Sequence, residues 1–140
     1  MTAAAAPARA LPLRLVPTYF AALGTMVALD AFWLNFSVDL FQAALGDYLL
    51  PRPRIPVAVA FYLGYVALIV AFAIDRSGGR LIDAARRGAG LGLLAYGTYE
   101  FTNWSTVAAW TPNLVVLDTL WGMFVTGCVG AMAQFVAVKR

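Results

Sequence analysis

Four long apolar stretches, separated by short charged segments, occupy the sequence from Leu15 to Val138. A helix that crosses a bilayer needs about 20 apolar residues, because the hydrocarbon core is about 30 Å thick and a helix rises about 1.5 Å per residue. A chain of 140 residues therefore holds about four or five crossings at most, which excludes the large multi-span carriers. Composition agrees, with 62% hydrophobic and 12% charged residues, where a soluble domain is near half apolar and a quarter charged. A soluble enzyme is excluded. The net charge of +3 reads as membrane topology, and no nucleic acid is expected as a partner.

The expected fold is an all-α integral membrane four-helix bundle in one domain, residues 15–138, behind a disordered cytoplasmic leader, residues 1–14. Spans are expected at about 15–36, 56–74, 88–110 and 112–138. A cleaved signal peptide is the competing reading of the first stretch, but Asp30 and Trp33 sit inside it in a pattern that recurs later. Between the first two spans, Phe41, Leu45, Tyr48 and Leu49 recur at helical spacing and suggest a short amphipathic interfacial helix before the Pro-Arg-Pro-Arg-Ile-Pro break; a solvated loop is the alternative. Lys and Arg collect on the cytoplasmic side of membrane proteins. With the N-terminus inside, Arg9, Arg14, Arg76, Arg80, Arg86, Arg87, Lys139 and Arg140 are cytoplasmic and only Arg52 and Arg54 lie outside. Both termini are thus expected to be cytoplasmic.

The inventory excludes further chemistry. Histidine is absent, so no imidazole serves a haem, a zinc ion or general base catalysis. The only lysine, Lys139, stands beside the C-terminus and offers no intramembrane Schiff base. Cys128 has no cysteine to pair with and reads as a packing residue rather than a reactive thiol. Neither a cofactor nor a metal site is expected.

Of seven acidic residues, Asp39, Asp47, Asp75 and Asp83 fall in connections. Asp30, Glu100 and Asp118 fall within spans. An acid at a span centre costs about 2.5 to 3.5 kcal/mol on insertion scales, so it faces the bundle interior and marks a functional site. Asp30 lies six residues before the outer end of its span, roughly 9 Å deep at 1.5 Å per residue, and Asp118 lies at nearly the same depth. Glu100 and Asn103 sit in span three, and Tyr96, Glu100 and Asn103 share one stripe. No basic residue reaches that depth. Spans one and four repeat a pattern, Leu29-Asp30-x-x-Trp33-x-x-Phe36 and Leu117-Asp118-x-x-Trp121-x-x-Phe124, which reads as one packing device used twice, an acid beside an indole. Trp110 reads as an interfacial belt residue.

These residues, Asp30, Trp33, Tyr96, Glu100, Asn103, Asp118 and Trp121, form the expected ligand-binding site. Asn35, Thr98, Thr102 and Gln134 are further polar residues within spans. Gly88-x-x-x-Gly92 and the ridge Gly122, Thr126, Gly130 are smooth faces for close helix contact, within the chain or in a homodimer.

The strings LDAFWL, FQAALGDYL, AFYLGYVALI, GLGLLAYGTYEFTN and VVLDTLWG, in this order, resemble the bacterial integral-membrane family known as domain of unknown function 2177. The resemblance covers about Tyr19 to Gln134, and its most specific parts are Tyr96, Tyr99, Glu100, Thr102 and Asn103, then Asp118, Trp121 and Gly122. It implies a four-span inner-membrane protein without an established activity. The family usually has Asp at the position of Glu100, so the reach is longer here by one methylene.

Three functions compete. The first is a binding or permease-like protein with an acidic and aromatic pocket in the outer half of the bilayer for a cation, a proton or a lipid-like ligand. Oxygen donors suit a proton or hard cation, and indole faces beside acids suit a cationic amphiphile. The second is a lipid-modifying enzyme with paired carboxylates; His boxes and a nucleophile elbow are lacking. The third is an accessory subunit of a larger membrane complex. Expected partners are the lipid bilayer, a lipid or cationic ligand, and a membrane protein or second copy.

Overall fold

The computed structural model describes residues 12–75 and 79–138, with side chains from residue 15 onward. Four helices run in sequence, α1 (Pro12–Leu45), α2 (Ile55–Ala73), α3 (Leu81–Thr106) and α4 (Pro112–Val138), with a 3-10 turn at Gly46–Tyr48. No strand occurs among the described residues. The fold is therefore an all-α helical bundle of membrane type. Most of the expected leader, together with Arg76, Lys139 and Arg140, lies outside the described residues.

α1, α2 and α4 are long and apolar enough to cross a membrane. α3 is comparably long but falls short in apolarity, since it carries Asp83, Arg86 and Arg87 at its start and Glu100 and Asn103 further on. Its polar cargo is sheltered by α4, with which it makes the most extensive contact in the molecule. α4 touches all three other helices, whereas the backbones of α1 and α3 do not meet. Any link between those two must be made by long side chains.

Helix boundaries follow local chemistry. Pro56 stands in the first turn of α2, where its missing N–H costs nothing. Thr111 Oγ1 accepts the Leu114 N–H at 3.3 Å before α4, as N-capping residues do. α1 does not stop near Phe36: the segment expected as a separate interfacial helix continues α1 up to Leu45. The polar side chains at that point fold back on their own helix, Asn35 Nδ2 donating to Ala31 O at 2.7 Å and Ser37 Oγ to Trp33 O at 2.8 Å, so they do not interrupt it. Gly46, with φ of 52°, then ends the run; glycine alone enters this left-handed region without strain.

The glycine ridges are used within the chain. A Cβ on Gly92 would overlap the Gly122 carbonyl, and one on Gly88 would overlap the Thr126 carbonyl. α3 and α4 thus pack backbone to backbone, the geometry that small residues permit. One apolar core lies among Ala22, Met26, Tyr65, Val66, Ile69, Val125 and Val129. A second forms from Trp110, Leu114 and Val115, covered by Phe41, Ala44 and Leu45 of the α1 extension. That extension roofs the α3–α4 connection.

The connection between α2 and α3 is tied down by two side chains. Gln134, fully buried in α4, accepts the Asp75 N–H at 2.7 Å and donates to the carbonyls of Asp75 and Gly79 at 3.1 and 3.0 Å. Arg87 caps α2 by donating from Nε and Nη2 to Ala73 O at 2.9 and 2.8 Å. Helix ends leave such carbonyls without partners. Outside the spans, Asp83 pairs with Arg80 at 2.9 and 3.1 Å. The Arg80 hydrogen bond and charge hold the Asp83 carboxyl below the usual aspartate range.

Candidate functional site: three carboxyls and three indoles

Each acid within the bundle meets an indole from elsewhere in the chain. Trp33 Nε1 donates to Asp118 Oδ1 at 2.7 Å, and Trp121 Nε1 donates to Asp30 Oδ1 at 3.1 Å. Trp110 Nε1 donates to Glu100 Oε2 at 2.7 Å. Asp30, Glu100 and Asp118 are 7%, 0% and 4% exposed. In low dielectric an unpaired polar group costs more than in water, so these donors are strongly held.

The first two bonds are reciprocal. α1 and α4 each carry Asp-x-x-Trp, and the two helices pass so that each Trp lies opposite the other's Asp. The indoles stack with centroids 4.9 Å apart and planes 7° from parallel, flanked by Phe36 on Trp33 and by Phe32 and Phe124 on Trp121. The acid beside an indole that spacing suggests within one helix is thus an acid bonded to the indole of its neighbour.

Asp30 meets side chains of the other three helices. Trp121 of α4 and Tyr62 of α2 donate to it, the Tyr62 hydroxyl to Oδ2 at 2.9 Å, and Tyr96 of α3 stands beside the carboxyl. Tyr96 reaches α1 only because α4 has glycine in its way: a Cβ on Gly122 would lie inside the Tyr96 ring. One turn further along α4, Thr126 Oγ1 shares a 3.0 Å hydrogen bond with the Tyr65 hydroxyl.

Glu100 and Asp118 form the other focus. The two carboxyls are neighbours, each near enough to bear on the ionisation of the other. Two carboxyl groups bond only through a proton carried by one of them, since an ionised carboxylate accepts and does not donate. Glu100 Oε1 and Thr119 Oγ1 are buried atoms without a hydrogen-bond partner among the described residues.

Of the expected site residues, Asp30, Trp33, Tyr96, Glu100, Asp118 and Trp121 come together. Asn103 stands beside Tyr99 and makes no hydrogen bond to the acids. Trp110 corrects the reading as a belt residue: it is 3% exposed because the backbone folds back after α3, Trp110 N–H bonding Val107 O at 3.0 Å, and Tyr99 and Phe41 pack edge-on against its ring. Tyr62 was not singled out by the sequence. A hydroxyl in an uncharged helix, which must find a partner once buried, was the available signal. Thr98, Thr102 and Asn35 lie on exposed faces, and the first and last bond their own helix. Among the described residues no group of three or more His, Cys, Asp or Glu is placed to hold a metal ion.

Comparison with known families brings one decisive match: the profile described as "Predicted membrane protein (DUF2177)" covers residues 15–135. The chain belongs to the DUF2177 family. No curated protein and no solved structure matches it. All three acid–indole pairs of this DUF2177 protein fall within the matched region.

Proposed function

We propose that this DUF2177 chain is a binding or permease-like protein of a bacterial inner membrane, with both termini cytoplasmic, whose Glu100–Asp118 pair takes up and releases a proton in the outer half of the bilayer. One observation supports the reading: two buried carboxyls stand as neighbours, and Glu100 Oε1 has no hydrogen-bond partner among the described residues. A proton is the smallest species that completes such a contact. A metal cation or a cationic lipid at the same acids would face the indole and tyrosine hydrogens that already point at them, and displacing such a donor costs about 1 to 3 kcal/mol for each buried group left unpaired. The proton requires no displacement.

Infrared difference spectra of the reconstituted protein test this. The wild type is expected to show a carboxylic acid carbonyl band that disappears on raising the pH. Both Glu100→Gln and Asp118→Asn are expected to lose that band. A spectrum without any such band, or one unchanged in both variants, overturns the proposal.

The same acid–indole bonds favour a second reading. Hydrogen bonds across helices serve as glue in membrane bundles, and an accessory subunit of a larger complex needs nothing more from them. Purification distinguishes the two. A partner chain that stays bound in Glu100→Gln and Asp118→Asn, in a protein lacking the carbonyl band, selects the accessory role. A lipid-modifying enzyme would require a substrate path to the carboxyls, and no contact described above supports one.

A further inference from the structure

A second feature lies away from the acids, on the outer face of the α3–α4 pair. A shallow groove of about 320 Å³ runs between the helices, floored by Ala85, Ala89, Gly127 and Ala131 and walled by Met123 and Phe124. Its floor is made of small side chains because the helices approach so closely there: a Cβ on Gly127 would stand 3.2 Å from Ala85 O. From Met123 to Ala131 the groove follows α4 for about 12 Å at 1.5 Å per residue, the length of half an acyl chain.

Arg86 is among the residues that line the groove. Its side chain is 72% exposed, and its only ion pair among the described residues is a long one, Nη1 to Asp83 Oδ1 at 3.8 Å. Asp83 is already engaged by Arg80 at 2.9 Å. The guanidinium, exposed and paired only at 3.8 Å, keeps donors for the bidentate, charge-assisted bonds that arginine makes with phosphate. An apolar groove with a loosely paired, exposed arginine in its lining matches an acyl chain joined to an anionic headgroup. Basic sites between helices near the membrane surface bind such lipids.

We infer that the α3–α4 groove, with Arg86 in its lining, is a binding site for an anionic phospholipid. The site is independent of the carboxyl pair and stands or falls separately from the proton reading. Cys128 lines the groove and is the only cysteine of the chain, so occupancy is readable at a single thiol.

Native mass spectrometry of the purified full chain, titrated with an equimolar mixture of dioleoyl phosphatidylglycerol and dioleoyl phosphatidylcholine, tests the site. The wild type is expected to retain phosphatidylglycerol in preference. Arg86→Gln is expected to lose that preference by about fivefold, the effect of one arginine at an anionic surface, and Ala131→Phe to lose retention of both lipids. In parallel, alkylation of Cys128 by N-ethylmaleimide is expected to slow when phosphatidylglycerol is added to the wild type, and not in Arg86→Gln. Equal retention of the two lipids by the wild type overturns the inference, as does a preference that survives Arg86→Gln. Unchanged alkylation on lipid addition places the lipid elsewhere and also overturns it. An unaltered unfolding midpoint for Arg86→Gln shows that its loss is not one of folding.

Discussion

Trp33 and Trp121 lie face to face, 4.9 Å between centroids, while each gives its N–H to the aspartate that stands one turn from the other. The two residues are thus joined by stacking and by two hydrogen bonds that run in opposite directions. Neither bond survives a change in the register of α1 against α4.

Trp33→Phe keeps the stacked ring and removes the donor to Asp118. It is expected to destabilise the protein by about 1 to 3 kcal/mol, the cost of a buried acceptor left without its partner. Combined with Trp121→Phe, the loss should differ from the sum of the single losses, because the two share one stack. Unfolding curves in mixed micelles measure both, and strict additivity would contradict the reciprocal arrangement.

Gly92→Ala forces a methyl group into the Gly122 carbonyl. Overpacking of this kind costs about 1 to 3 kcal/mol. Gly90, two residues away, has nothing within 4 Å of a built Cβ, and Gly90→Ala is expected to gain about 0.5 to 1 kcal/mol through helix propensity. Opposite signs in the unfolding midpoints are the result to look for.

Gln134→Met keeps the volume and takes away the acceptor of the Asp75 N–H. Hydrogen exchange at that amide is expected to quicken about fivefold to tenfold, in line with the loss of about 1 kcal/mol or slightly more. Exchange in the middle of α4 should stay as it is.

The Arg80–Asp83 pair gives a pH dependence. Because the Asp83 carboxyl is held below its ordinary range, first by the Arg80 hydrogen bond, its contribution to stability is complete above that range and disappears as the pH falls through the lowered value. Asp83→Asn should therefore trail the wild type near neutrality and match it in strong acid. The pair is exposed, so the difference is small, and added salt should shrink it.

The apolar stretches, their proline and glycine boundaries and the convergence of Asp30, Glu100 and Asp118 were legible in the sequence because each rests on local spacing or on the cost of placing charge in lipid. The pairing of those acids was not. Spacing puts Asp30 and Trp33 on one face of α1, but which indole meets which acid depends on the register of two antiparallel helices far apart in the chain. Trp110 was misread because a tryptophan at a span end is ordinarily interfacial, while its burial here depends on a backbone turn at Val107 and on a roof from the α1 extension. That roof was itself hidden, since Asn35 and Ser37 look like an interruption until their side chains are seen bonding back to α1.

The reciprocal bonds divide the chain in an unusual way. Cut between α2 and α3, the N-terminal fragment would retain Asp30 with Tyr62 but lack Trp121 and Tyr96, and the C-terminal fragment would retain Asp118 but lack Trp33. Each fragment thus owns a hunger that only the other can satisfy. Co-inserted as separate polypeptides, the two pieces should reassemble into the intact bundle, and either one inserted alone should be a substrate for membrane quality control.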